Sequence, residues 1–380
     1  MRRRRIAERR DGLPLRWAQH RAGAVLWFVL TTGACNLACK YCGGSFSNKH
    51  SPWRPRAAPG EVAKFIASRD SSPVVFFYGG EPLLNPQYIA KVMDALGNAR
   101  FGIQTNGTLV KRLPTELWRR FSTVLLSIDG PKEVTDYYRG VGVYDKVVDA
   151  LRWLKNEVGC RCKVIARMAV SKRSQLYRDV VHLLGLGFDA VHWQLNVIWT
   201  EEWGPAEFLK WAEESYLPDV GKLRDLFLAE ARRGRVLGII PFLGIYRALL
   251  VRPYDWVPCG AGKHSFAINT DGRVLHCPIA VSEKWATAGH IKIGIKNGVK
   301  LKDKCLTCEY RHVCGGRCLY THYEDYWGEE GFDAVCQVTK RTIRILEEGA
   351  PILAELMRGG VVRKEDIDYD PLLDSTEVIP

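Results

Sequence analysis

The sequence predicts an α/β protein organised on a parallel sheet. Between residue 23 and about residue 200, six apolar strand-like runs alternate with helix-like segments, the crossover pattern of parallel strands. At 380 residues and 47% apolar content, the chain is long enough to bury a large core beside a second unit. Its cysteines fall mainly into two groups, three close behind the first strand and seven between Cys259 and Cys336.

The expected strands are 24–31, 74–78, 101–104, 124–128, 163–169 and 190–197. Apolar residues recur at three and four positions in 59–68, 86–96, 114–121, 144–157 and 174–186, which predicts the connecting helices. This is the pattern of an incomplete barrel or of an open doubly wound sheet, and in both ligands collect at the carboxyl ends of the strands. After about residue 201, Trp, Glu and Pro punctuate a helical stretch that runs to about Leu250. The seven later cysteines, set among Gly and short strand signals, predict a small domain with little core, held together by metal. Residues 337–358 read as a closing amphipathic helix and the acidic end as irregular. The division expected is a basic segment 1–22, a barrel domain 23–230, a bridge 231–258, a cluster domain 259–340 and a helix with tail 341–380.

Composition narrows the function classes. The longest apolar stretches, 22–30 and 236–251, are shorter than the roughly 17 to 25 residues of a spanning helix. No apolar core of a secretory signal follows the Arg2–Arg5 run, and twelve cysteines then fit metal ligation in a reducing, cytoplasmic compartment better than a disulfide framework. The formal charge of +13 is scattered among acids apart from the N-terminal tail. That reads as a solvated surface suited to an acidic redox partner rather than a nucleic-acid interface.

Cys35, Cys39 and Cys42, in Cys-Asn-Leu-Ala-Cys-Lys-Tyr-Cys, fall on the loop behind the first strand. A cubane cluster held by three thiolates keeps one iron open to a ligand, whereas structural zinc closes four positions. With Tyr41 before the third cysteine and Gly43 and Gly44 after it, the loop resembles that of the radical S-adenosylmethionine enzymes. Further pieces resemble the family at the next strand ends: Tyr78-Gly79-Gly80-Glu81-Pro82, Gln104-Thr105-Asn106-Gly107 and Ser127-Ile128-Asp129-Gly130. The resemblance implies a partial (β/α)6 barrel of the TIM type, a [4Fe-4S] cluster on the three cysteines and bound S-adenosylmethionine. It implies cofactor contacts at Tyr41, Gly79, Gly80, Glu81, Thr105, Asn106 and Ser127, with Glu81 receiving the amino group. Arg139 would meet the methionyl carboxylate with its planar fork, and Arg167 is a second candidate for that group.

The order Cys259, Gly272, Cys277, Cys305, Cys308, Cys314, Cys318, Cys336 resembles the SPASM extension of such enzymes, a small α+β domain with two auxiliary [4Fe-4S] clusters. Carried over, Cys305, Cys308, Cys314 and Cys336 enclose one cluster, and Cys259, Cys277 and Cys318 hold the other with three ligands. Candidates for the missing ligand are His264, His276, a water or a substrate sulfur; paired zinc sites are the alternative reading of all seven. Cys160 and Cys162 read as packed thiols. On the sixth strand, His192, Gln194 and Asn196 share one face and Trp193 lies on the other, buried against helices.

Members with this extension mostly modify peptides or proteins, so the resemblance implies oxidative modification of a peptide side chain and a low-potential donor such as ferredoxin or flavodoxin. Pro278 stands where sulfatase maturases carry an acidic residue, which argues against that subgroup. About 22 residues precede the first strand, fewer than a leader-binding module needs, so a separate peptide-recognition protein is expected. A cofactor-biosynthetic or RNA-modifying enzyme, and a non-enzymatic iron-sulfur or zinc module, are the alternatives.

Overall fold

In a computed structural model the described residues are 25–42 and 44–374. The basic segment 1–22, Gly43 and the last residues of the acidic end lie outside them. All six expected strands form: β1 (Leu26–Leu30), β2 (Val74–Tyr78), β3 (Arg100–Thr105), β4 (Phe121–Ser127), β5 (Lys163–Val170) and β6 (Ala190–Leu195). They pair in parallel and in chain order. A doubly wound sheet reverses its order at a switch point. This one does not, so the incomplete barrel is the architecture.

Prolines open the first two long crossovers, Pro59–Ala67 and Pro86–Ala95, where a missing N–H is harmless. Val143–Arg152 and Leu176–Gly185 follow as expected. A helix at Lys132–Arg139 escaped the sequence reading because its apolar stripe is short; it buries Val134, Thr135, Tyr138 and Arg139. Between strands, Phe76 lies opposite Gly102, and a Cβ there would sit 2.0 Å from the end of the Phe76 ring. We expect Gly102→Ala to cost about 1–3 kcal/mol through overpacking, seen as a lower midpoint of thermal unfolding; an unchanged midpoint would mean that the ring relaxes freely.

The cysteine-rich part shares the sheet of the barrel: β7 (Ser265–Ile268) pairs in parallel with the other edge of β1, Leu26 opposite Ser265. Antiparallel β8 (Arg273–Leu275), β9 (Thr287–His290) and β10 (Gly294–Ile295) extend the same sheet to ten strands. Three expectations for the C-terminal third need correction. The stretch 231–258 is more than a bridge, because the helix Ile240–Leu250 is buried along most of its length and packs on β6 with Trp193 against Phe242. The closing helix begins earlier, at Gly328–Glu347, and is followed by Ala350–Arg358.

The acidic end is not loose up to residue 374. Tyr369, Asp370, Leu373 and Asp374 are buried, and the Asp374 carboxylate accepts hydrogen bonds from Arg100 and the Thr123 hydroxyl, both at 3.0 Å. Lys163 lies 3.5 Å from the same carboxylate. These partners sit at or near the amino ends of β3, β4 and β5, so the tail closes the floor of the barrel. Cys160 and Cys162, expected as packed thiols, do pack against the core and are joined in a disulfide at that same end. Among the described residues no helix is long and apolar enough to cross a membrane.

Candidate functional site

The loop behind β1 carries Cys35, Cys39 and Cys42 to the carboxyl end of the sheet. A tight turn forms within it, with the Cys42 N–H donating to the Cys39 carbonyl at 3.1 Å. Ser45 accepts from the Cys35 N–H at 2.9 Å, and the Leu37 N–H points at the Cys35 sulfur at 3.5 Å. Cys39 and Cys42 are hydrogen-bonded to each other, which draws the Cys42 thiol down to about 6 and pushes that of Cys39 up. Burial raises Cys35. Three thiols therefore share one small volume.

What fixes the loop is a buried carboxylate that the sequence suggested only as part of a turn. Asp129, fully buried at the end of β4, accepts from the Tyr41 hydroxyl at 2.8 Å and from Nε and Nη2 of Arg139, both at 2.8 Å. It also accepts from the Ala169 N–H at 2.9 Å. One side chain thus ties the cysteine loop, the Lys132–Arg139 helix and β5 together. The fork of Arg139 that the sequence reading reserved for a methionyl carboxylate is taken by Asp129.

Glu81 is likewise committed. Its carboxylate accepts from the Leu83 N–H at 3.0 Å, the Thr105 hydroxyl at 2.7 Å and the Asn106 N–H at 2.7 Å. Burial nevertheless raises its pKa from 4.5 to about 7, the three hydrogen bonds offsetting only part of the desolvation. Because the folded form holds the proton more tightly than the unfolded one, stability should fall as pH rises from about 4.5 to about 7 and level off above. Urea midpoints across that range test this, with a flat profile as the contrary result. The neighbouring glycines are needed for packing against the loop itself: a Cβ on Gly79 would meet the Thr32 carbonyl oxygen at 2.2 Å, and one on Gly80 that of Ala34 at 2.1 Å. Their close approach is thus to backbone of the cysteine loop rather than to the ligand expected from the sequence.

All the expected cofactor contacts, Tyr41, Gly79, Gly80, Glu81, Thr105, Asn106, Ser127 and Arg139, nonetheless line one cavity of about 230 Å³ with the three cysteines, Gln104 and Arg167. A second cavity, of about 240 Å³, is bordered by Cys259, Cys277 and Cys318. The two share Tyr41, Cys42, Gln104, Arg167, Gln194 and Trp199 as walls. Of the polar row on β6, Gln194 and Asn196 border the second cavity, while Trp193 is buried with its indole N–H 3.2 Å from the Tyr216 hydroxyl. Trp199 was missed. It takes φ +58°, unusual for a bulky residue, and donates to the Tyr320 hydroxyl at 2.9 Å, so it is fixed in a strained conformation between the cavities.

A third cavity, of about 60 Å³, gathers Cys305, Cys308, Cys314 and Cys336. Burial pushes Cys305 up to about 11 and Cys314 up to about 12, and each of the two is raised further by Cys336. Of the two histidines weighed as ligands, His264 faces Asp255 at 3.5 Å, and His276 is buried with neither ring nitrogen hydrogen-bonded. Among the described residues no three metal-ligating side chains converge on a point suited to one ion. Thiols gathered around a common cavity are the donor type of an iron-sulfur cluster, and three thiolates on the first loop would leave one iron of a cubane open.

The model of the radical SAM superfamily matches residues 29–168, the stretch from β1 to β5 that carries this first loop. Those residues are a radical SAM domain. The chain accordingly carries a radical SAM domain, whose cofactors are S-adenosylmethionine and a [4Fe-4S] cluster. Similar along most of this chain are an uncharacterised protein of Archaeoglobus fulgidus, 26% identical over 77% of this chain and 73% of its own, and a cysteine-type anaerobic sulfatase-maturating enzyme of Clostridium perfringens, 24% identical over 76% and 86%. The solved structure of native anSMEcpe with bound AdoMet superposes with a TM-score of 0.67, at 19% identity, over 87% of this chain and 99% of that one. The fold shared with that structure therefore continues into the C-terminal third.

Proposed function

We propose that this protein is a radical SAM enzyme that modifies a side chain of a peptide or protein and would hold two auxiliary [4Fe-4S] clusters on its later cysteines. The observation that carries this reading is the shared wall: the cavity lined by Cys35, Cys39 and Cys42 opens beside the one bordered by Cys259, Cys277 and Cys318. When bound, the cofactors supply reductive cleavage of S-adenosylmethionine and a 5′-deoxyadenosyl radical that takes hydrogen from the substrate.

The chain's own groups orient and shield. Cys35, Cys39 and Cys42 would hold the first cluster; Cys305, Cys308, Cys314 and Cys336 the second; Cys259, Cys277 and Cys318 the third. Asp129 holds Tyr41 and Arg139 in place, and Thr105 and Asn106 are aligned by Glu81. With the Arg139 fork occupied, Arg167 and Ser127 are the polar groups of the first cavity assigned to the methionyl end. Trp199 and Gln194 line both cavities and would exclude water from the passage between them. The peptide reading is supported by the similarity to the sulfatase-maturating enzyme, while Pro278 in place of an acidic residue points to a different substrate or base.

Reconstituted anaerobically, the protein should bind about twelve irons, four for each cluster, and release 5′-deoxyadenosine after dithionite reduction. About four irons would remove the auxiliary clusters from the reading, and absence of 5′-deoxyadenosine would remove the radical chemistry. A tRNA that copurifies and stimulates cleavage, with peptides without effect, would move the substrate class to RNA.

A further inference from the structure

The radical chemistry proposed above needs one electron delivered from outside, and the surface beside the cysteine loop has an unusual construction. Lys40, directly after Cys39, stands with its ammonium 3.5 Å from the centre of the Tyr137 ring. The guanidinium of Arg173, on the loop after β5, stands 3.6 Å from the same centre. Two cations so close to one centroid must occupy opposite faces, so the ring is clasped between them. Both cationic residues are exposed.

Three elements meet in this stack. The Lys40 N–H donates to the Tyr138 carbonyl at 2.9 Å, fastening the loop to the Lys132–Arg139 helix. The Arg173 N–H is held 3.1 Å from the Tyr138 hydroxyl, which in turn donates to Glu202 at 2.5 Å. Next to Arg173, Lys172 faces Glu207 at 3.4 Å. Among the described residues, neither Lys40 nor Arg173 has a carboxylate of its own. A cation over a ring at an exposed site gains about 0.5–1 kcal/mol, a bias that holds both charges beside the ring despite their mutual repulsion. The favourable complement is a negative surface.

We propose that Lys40, Tyr137 and Arg173 form the docking surface for an acidic protein electron donor. The donor gives up one electron, which enters at the cysteine loop; no atom is transferred. Lys40 adjoins a cysteine assigned to the first cluster, so the surface touches the loop itself, and Cys39 beneath it is buried. Rigid charges at an encounter surface act chiefly on association rate and on its dependence on salt. The assignment rests on the radical reading, and the test separates the two.

The reconstituted holoenzyme is titrated with an acidic flavodoxin at low and at high ionic strength, as wild type, as Arg173→Glu and as Lys40→Glu/Arg173→Glu. The dissociation constant is measured first, then 5′-deoxyadenosine formation driven by reduced flavodoxin or by dithionite. Wild-type binding should weaken with salt, and charge reversal should weaken low-salt binding about tenfold or more and flatten the salt dependence. Flavodoxin-driven cleavage should fall in parallel, with the dithionite-driven rate unchanged. Binding and flavodoxin-driven cleavage that ignore both reversals overturn the docking surface alone. Arg173→Glu, away from the cysteine loop, decides if the double variant loses iron. No cleavage by wild type under dithionite overturns the radical reading and the docking surface with it.

Discussion

Replacing Asp129 with Ala should leave the Arg139 guanidinium buried without its partner, at a cost of about 3–5 kcal/mol. It should also release Tyr41, which stands between Cys39 and Cys42, so that the geometry of the loop is lost together with stability. Misplacement on the scale of an ångström can cost about a hundredfold in rate, and 5′-deoxyadenosine formation should fall by that order. Burial opposes charge on Arg139, yet Asp129 holds its pKa above the ordinary value, which shows how strongly the two are matched. Urea unfolding and product analysis check the two effects separately. A variant within about 1 kcal/mol of wild type, less than an unpaired buried charge costs, would mean that water or another group replaces the carboxylate.

The floor of the barrel should respond almost as strongly to Asp374→Ala. Arg100, Thr123 and Lys163 would lose their common acceptor, and the penalty for stranding the charges is again about 3–5 kcal/mol. Burial already depresses Lys163, Asp374 being the main group that opposes it. Without Asp374 the lysine's folded pKa drops further below 10.5, so the unfolded chain binds more protons and stability rises with pH. The defect should therefore shrink as pH climbs toward 10.5, whereas a packing defect alone would not. Thermal melts of both proteins at pH 7 and pH 9.5 distinguish the two.

The six barrel strands were legible because each is an apolar run long enough to stand out between turn residues, and the first site because three cysteines follow one of them. Roles at that site were less legible. Glu81 and Arg139 carry chemistry suited to a ligand, but sequence cannot say that Thr105, Asn106 and Asp129 reach them first. The same limit hid the floor: 369–374 reads as an acidic, proline-marked end, and only the folded chain shows Asp374 against β3, β4 and β5. Cys160 and Cys162 were read for packing, since two residues of separation alone do not say whether their sulfurs meet. β7 escaped as a barrel neighbour because a four-residue strand gives no sign of its partner, which lies 239 residues away by the register of Ser265 with Leu26.

That pairing sets a timetable for synthesis. β1 is made long before β7, so one of its edges stays bare until β7 emerges from the ribosome. At about 5–20 residues per second, the interval is roughly ten to fifty seconds. During that time the strand that leads into the cysteine loop presents unsatisfied backbone groups, the condition that invites mispairing. Closure of so long a loop also makes folding slow. The newborn chain thus waits, half-built, with its first three thiols already exposed to whatever delivers iron.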